Sequence, residues 1–203
     1  MSITFNANGK ITGNRLSMPA GSGSPLSVIE EFEVPCDGTA ITTSKGSVSI
    51  GNVTTSINLT TSFQDLTGSS ISYQPPDNTK IVIYSFNFAG FYANTSPICY
   101  GFIYLDDVPV SSHPFTERAD YLIRRTTWSH AFRIEPSLSA NAATGRVQSW
   151  NSAKTIKIKV RDHSNSYNST VHNLTNSSNT AGSNVADSFV IPTIGIKAIG
   201  IRE

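Results

Sequence analysis

SSISYQPPDNTKIVIYSFNFAGFYANTSPICYGFIYLDD, residues 69–107, is the stretch on which the fold turns. It opens with a short strand, Ser70–Tyr73, and turns through Gln74-Pro75-Pro76-Asp77-Asn78. Proline presets φ and Asx side chains hydrogen-bond their own backbone, so this is turn chemistry. Lys80–Tyr92 then forms the longest apolar segment, and its β-branched and aromatic residues suit a pleated surface. The first half (Ile81, Val82, Ile83, Tyr84) is apolar at both parities. The second half alternates, with Tyr84, Phe86 and Phe88 on one face and Ser85 and Asn87 on the other. Such a strand faces its own core on one side and, where both sides are apolar, another body, which we expect to be a second subunit. Cys99–Leu105 follows as a strand apolar at nearly every residue, and Asp106-Asp107 turns the chain into Val108–Ser111.

Upstream, Val28–Val34 reads as a first strand, Thr39–Ile50 as a hairpin turning at Lys45-Gly46, and Ser56–Phe63 as an alternating strand. Met1–Ser27 reads as an arm. Its apolar residues Ile3, Phe5, Ile11 and Leu16 are scattered among Asn, Gly and Thr, and Pro19–Pro25 is a linker by composition. It cannot bury enough surface to fold alone, which leaves a frayed tail or an arm that orders on a partner through those four anchors.

Downstream, His113–Arg125 has the Glu, Arg, Ala and Leu for a short helix within a loop. In Thr127–Glu135 the residues Trp128, His130, Phe132 and Ile134 share one face. Arg146–Trp150 is a short strand, and Lys154–Asp162 turns Ile156, Ile158 and Val160 inward and Lys157, Lys159 and Arg161 outward. His163–Asp187, rich in Asn, Ser and Thr, reads as a long exposed loop. The closing segment Ser188–Glu203 places five isoleucines on both parities, the pattern of a central strand. Eight to ten strands with almost no helix predict an all-β antiparallel β-sandwich over residues 28–203, preceded by the arm 1–27. Strands buried on both faces favour a jelly roll with one sheet against other subunits.

At 203 residues the chain suits one sandwich plus an arm, and a charged fraction of 14% with net charge +1 provides no field for nucleic acid or a membrane. No apolar run reaches the roughly 18 residues of a membrane span, so no membrane insertion is expected. MSITFNANGKITG lacks a basic region followed by an apolar one, so no secretory signal is expected either. Cys36 and Cys99 are either a disulfide or two buried thiols, the latter being the ordinary state.

The chemistry is sparse. There is no Gly-x-Ser-x-Gly elbow, and Ser112-His113 lacks an orienting acid. His113, His130, His163 and His172 have no metal-ligand spacing, so no cofactor is expected. His130 reads as a hydrogen-bonded core histidine or a ligand at a symmetry axis. Asp106-Asp107 is a polar hairpin turn or a calcium loop. Asp65, Glu117 and Asp120 show no pairing for glycosidase work. The stripe Lys157, Lys159, Arg161 is a solvated face or an anion site, and without aromatic interleaving it does not bind nucleic acid. Asn-x-Ser/Thr at Asn52, Asn58, Asn94, Asn168, Asn173 and Asn176 matters only in a glycosylating compartment. The expectation is a non-enzyme. Glycan sites show exposed aromatics beside Asp, Asn or Arg, and Tyr92, Tyr121, Trp150 and Tyr167 are the loop or strand-end candidates.

Thr60–Val82 (TTSFQDLTGSSISYQPPDNTKIV) and the ending FVIPTIGIKAIGIRE resemble jelly-roll proteins of marine virus and bacteriophage particles, in an architecture similar to the tumour-necrosis-factor and complement-C1q trimers. The likeness runs in element order from Val28 to Glu203, and its specific parts are Ser62–Tyr84 and the last strand. The arm and the 163–187 segment lie outside it. The resemblance implies a virion structural protein, a homotrimer on the particle surface as capsid decoration, vertex or fibre. Tyr84, Phe86, Cys99, Phe102, Ile194, Ile196 and Ile199 would pack its core and threefold interface, and Met1–Ser27 would grip capsid or tail proteins. The alternative is a receptor- or glycan-binding module of a viral fibre or tail.

Overall fold

The computed structural model describes residues 26–90, 98–118, 124–166, 169–172 and 190–201. These residues contain fifteen strands and one three-residue helical turn. They are β1 (Ser27–Pro35), β2 (Ala40–Thr43), β3 (Gly46–Ser49), β4 (Ile57–Asn58), β5 (Gln64–Asp65), β6 (Ile71–Tyr73), β7 (Thr79–Gly90) and β8 (Ile98–Leu105). After these come β9 (Val108–Pro109), β10 (Phe115–Arg118), β11 (Arg124–Ile134), the 3-10 turn Ala142–Thr144, β12 (Arg146–Val147), β13 (Lys154–Asp162), β14 (Thr170–Val171) and β15 (Thr193–Gly200).

The strands form two large sheets. One has the order β1-β15-β7-β11-β12; the other runs β10-β8-β13-β5, with β6 also on β13 and β9 on β8. Every pairing is antiparallel except β11 with β12. Two small pairs, β2–β3 and β14–β4, complete the set. The chain is an all-β antiparallel β-sandwich.

Alternation decides which side chains enter the core. On β7 the residues Val82, Tyr84, Phe86 and Phe88 are buried, and on β8 the buried set is Cys99, Gly101, Ile103 and Leu105. Ile156, Ile158 and Val160 of β13 and Ile194, Ile196 and Ala198 of β15 close the same core. Contacts cross between the sheets. The Tyr84 hydroxyl donates to the Ser69 carbonyl at 2.6 Å, and Phe115 of β10 stacks on Trp128 of β11 at 4.7 Å between ring centres. Gly101 makes that stack possible, since a Cβ there would lie 2.3 Å from the Trp128 ring.

The turns follow local chemistry. Asp106 and Asp107 sit at φ 49° and 65° between β8 and β9, the two-residue hairpin geometry that Asp tolerates. Asp106 also accepts the Thr155 amide at 2.9 Å and the Lys154 ammonium at 2.6 Å. The hairpin β2–β3 turns at Ser44-Lys45, one residue before the expected Lys45-Gly46.

Three expectations are corrected. The helix expected in His113–Arg125 is absent from its described part, where β10 runs as a strand. Stacking of Phe115 on Trp128 outweighs a weak helical preference there. The strand expected over Ser56–Phe63 shrinks to Ile57–Asn58, because the Thr60 hydroxyl bonds to the Ser62 carbonyl and the Gln64 amide oxygen instead of leaving a regular ladder. Within the segment expected to be an exposed loop, Ser169, Val171 and His172 are fully buried, since β14 pairs with β4 and the Ser169 amide bonds Asp162 at 2.9 Å. Cys36 and Cys99 are both buried thiols with no disulfide between them, the ordinary state expected from the sequence.

Candidate functional site

The two sheets turn different surfaces outward. On the five-stranded sheet, register places Ile81 opposite Ile199 of β15 and Arg133 of β11, and Ile83 opposite Lys197 and Ala131. These residues share the face away from the core. Ile81, Ile83 and Ile199 are half-buried by neighbours, and Lys197 pairs with Glu31 of β1 at 2.7 Å. Further along the same face the residues become small or polar, with Ser85 opposite Gly195 and Asn87 opposite Thr193. The two-sided apolar half of β7 read from the sequence is this patch.

On the six-stranded sheet the outward residues of β8 are Tyr100, Phe102 and Tyr104, and those of β13 are Lys157, Lys159 and Arg161. Register sets them in pairs: Tyr100 with Arg161, Phe102 with Lys159, and Tyr104 with Lys157. The Lys159 ammonium lies 5.1 Å from the Tyr104 ring centre. The Arg161 guanidinium lies 5.2 Å from both the Tyr100 and the Phe63 ring centres. Phe63, which is 40% exposed, meets Phe102 at 5.7 Å. His163 packs edge-on against Tyr100 at 5.6 Å.

The lysines of this strip are already engaged. Lys157 pairs with Asp107 at 2.7 Å and Asp65 at 3.4 Å, and Lys159 approaches Asp65 at 3.8 Å. The hydrogen bond and charge of Lys157 hold the Asp107 carboxyl below its ordinary range, and Asp107 in turn raises the Lys157 ammonium. Burial, with the Asp65 charge second, raises the Tyr104 phenol. Aromatic interleaving, which the stripe lacks along β13 itself, comes from the neighbouring strand.

Inside the sandwich lies a polar cluster. The Cys99 thiol is 3.4 Å from an Asp162 carboxylate oxygen and 3.5 Å from the Ser169 hydroxyl. His172 is fully buried at φ 63°, with its Nε2 3.0 Å from the Thr67 carbonyl and its ring edge-on to Phe86 and Phe88. Because that carbonyl only accepts, Nε2 carries the hydrogen; among the described residues Nδ1 has no hydrogen-bond partner. Burial pulls the His172 imidazole down to about 4. Burial likewise pushes the Cys36 thiol up to about 12, with the Asp37 charge adding to it. Among the described residues no group of three or more His, Cys, Asp or Glu side chains could hold a metal ion.

Of the residues expected at a core and threefold interface, Tyr84, Phe86, Cys99, Ile194 and Ile196 are buried in the sandwich itself. Ile199 is outward on the five-stranded sheet. Phe102 is outward on the other sheet and not in the core, because β8 buries the residues of opposite parity. Trp150, read as a glycan contact, is 4% exposed and donates its indole N–H to the Tyr73 carbonyl at 2.9 Å, so no sugar reaches it. Tyr92, Tyr121 and Tyr167, and the arm anchors Ile3, Phe5, Ile11 and Leu16, lie outside the described residues. His130 is half-buried, hydrogen-bonds the Thr144 carbonyl at 3.1 Å and packs against His113 at 5.0 Å; burial lowers its proton affinity. Phe63, Tyr100 and Tyr104 had no place among the residues singled out from the sequence, and strand parity was the signal that marked the last two as outward.

No family model and no curated protein matches the chain. Among solved structures it is similar to a chain in "Structure of infectious bursal disease virus Gx strain", at 11% identity and a TM-score of 0.28, over 85% of this chain and 42% of that one. The chain thus spans less than half the length of that viral chain. A likeness this faint defines neither family nor function.

Proposed function

We propose that the protein is a virion structural protein: a jelly roll that forms trimers at the particle surface, as capsid decoration, vertex or fibre, and attaches through residues 1–27. The outward isoleucines of the central strands carry this reading. Ile81, Ile83 and Ile199, with Ala131, form an apolar patch on strands already paired on both edges, where a solvated sheet would carry polar side chains. Glu31, Lys197 and Arg133 rim the patch with both charge signs, which suits contact between identical copies.

The strand order supports the jelly-roll form. The sets β1-β15-β7-β11 and β6-β13-β8-β10 interleave strands distant in sequence within each sheet, as two Greek keys wrapped together do. No catalytic step belongs to this proposal. Sedimentation of an Ile83→Glu variant beside the wild type tests it, since a charge on the patch should release monomers with an unchanged fold. The attachment is tested by deleting residues 1–27 and asking whether particles still incorporate the protein. The second reading, a receptor- or glycan-binding module, draws on the aromatic strip of the other sheet.

A further inference from the structure

We propose that the outward strip of β8 and β13 binds an acidic saccharide, with Phe63, Tyr100 and Phe102 receiving sugar-ring faces and Arg161 receiving the carboxylate. This proposal rests on the glycan-binding reading above and uses a surface that the trimer contact leaves open.

The aromatic side chains supply the first half of the case. Tyr100 and Phe102 are successive outward residues of one strand, so their rings stand about 7 Å apart, a spacing on the scale of one pyranose ring. Phe63 approaches from the loop before β5 and is tilted 51° against Phe102. The result is a shallow aromatic platform beside carboxylates and a guanidinium. Polar groups of both signs next to ring faces are what a hydroxyl-rich, weakly apolar ligand needs.

Charge then selects among ligands. Three cations line the strip, Lys157, Lys159 and Arg161, and two carboxylates answer them, Asp65 and Asp107. Each lysine has its acid. Arg161 makes no ion pair among the described residues; it gives one N–H to the Asp162 carbonyl at 3.4 Å and lies against two aromatic rings. One positive group is thus left, held beside the platform by stacking. A planar guanidinium presents paired donors that fit a carboxylate. A nucleic acid would need several unengaged cations to neutralise successive phosphates, and the two central lysines are spoken for. A single carboxylate on a sugar matches the one positive group that remains.

The 203-residue chain is titrated with a sialylated trisaccharide, a hexuronate oligosaccharide, the neutral counterpart of each and an oligothymidylate. Saturable binding of at least one acidic sugar is expected, at least ten-fold tighter than its neutral counterpart. Arg161→Gln should remove that preference and Phe63→Ala should weaken binding at least five-fold, whereas Glu31→Gln on the opposite sheet should change nothing. Phe63 is exposed enough for its variant to fold, and ring-proton shifts of Tyr100 and Phe102 in the wild type report the contact without any substitution. The proposal is overturned by equal affinity for acidic and neutral sugars, by no binding of either acidic sugar, or by tighter binding of the oligothymidylate. It is also overturned if Arg161→Glu changes the sedimentation mass, because the strip is then a contact between copies. Loss of trimers in the Ile83→Glu variant bears on the assembly proposal alone.

Discussion

Acid should weaken this fold through His172. The imidazole packs against Phe86 and Phe88, its Nε2 hydrogen is committed to the Thr67 carbonyl, and among the described residues no acceptor faces Nδ1 to take the N–H that a second proton would create. Folded, the group titrates near 4; unfolded, it returns to about 6.5. Between those values the unfolded chain holds more protons, so stability rises with pH. The contribution is fully present above pH 6.5, falls as pH drops through the window, and levels out below about 4. The full span is worth roughly 3 kcal/mol, and the part between pH 7 and pH 5 about 2 kcal/mol. Urea unfolding at the two pH values, at one fixed protein concentration, measures this. His172→Asn keeps a residue tolerant of φ 63° and removes the titration. The wild type should lose about 2 kcal/mol more than this variant on going from pH 7 to pH 5. His130, also lowered by burial, remains in both proteins and cancels in the comparison. Equal losses in the two proteins would refute the assignment.

Gly101→Ala drives a methyl into the Trp128 ring and should destabilise the fold by about 1–3 kcal/mol in urea unfolding; an unchanged midpoint would mean Trp128 does not seat there. Tyr84→Phe leaves the Ser69 carbonyl without its 2.6 Å donor in a dry core, a loss of roughly 1–3 kcal/mol by the same measurement. Lys157→Met breaks two exposed ion pairs and should cost less than about 1 kcal/mol, screened further by salt. Cys36, with its thiol pushed up to about 12 and fully buried, should resist an aromatic disulfide reagent at pH 8 until the protein is unfolded.

Much of the sandwich was legible because strand parity is a local signal. The two-sided half of β7, the central place of β15 and the inward set of β13 all follow from which residues alternate with which. The Asp106-Asp107 hairpin was legible for the same reason, since its chemistry lies within two residues. What resisted reading depends on register between distant strands. Tyr100 meets Arg161 only because β8 and β13 align in one of several possible frames, and nothing within either segment states that frame. Trp150 looked like a loop aromatic because its burial comes from the Tyr73 carbonyl, 77 residues away in sequence. The strand β10 competes against its own helical composition and wins through a partner on the other sheet. His172 hid in a polar, Asn-rich segment whose composition gives no hint that one residue is fully enclosed.

The proposed trimer rests on the outward patch of Ile81, Ile83 and Ile199. Sedimentation equilibrium of the 203-residue chain at micromolar concentration tests it most directly. A single species of three times the 21.8 kDa chain mass is the expected result. A species that stays at 21.8 kDa across the concentration range would contradict it, leaving those isoleucines facing water.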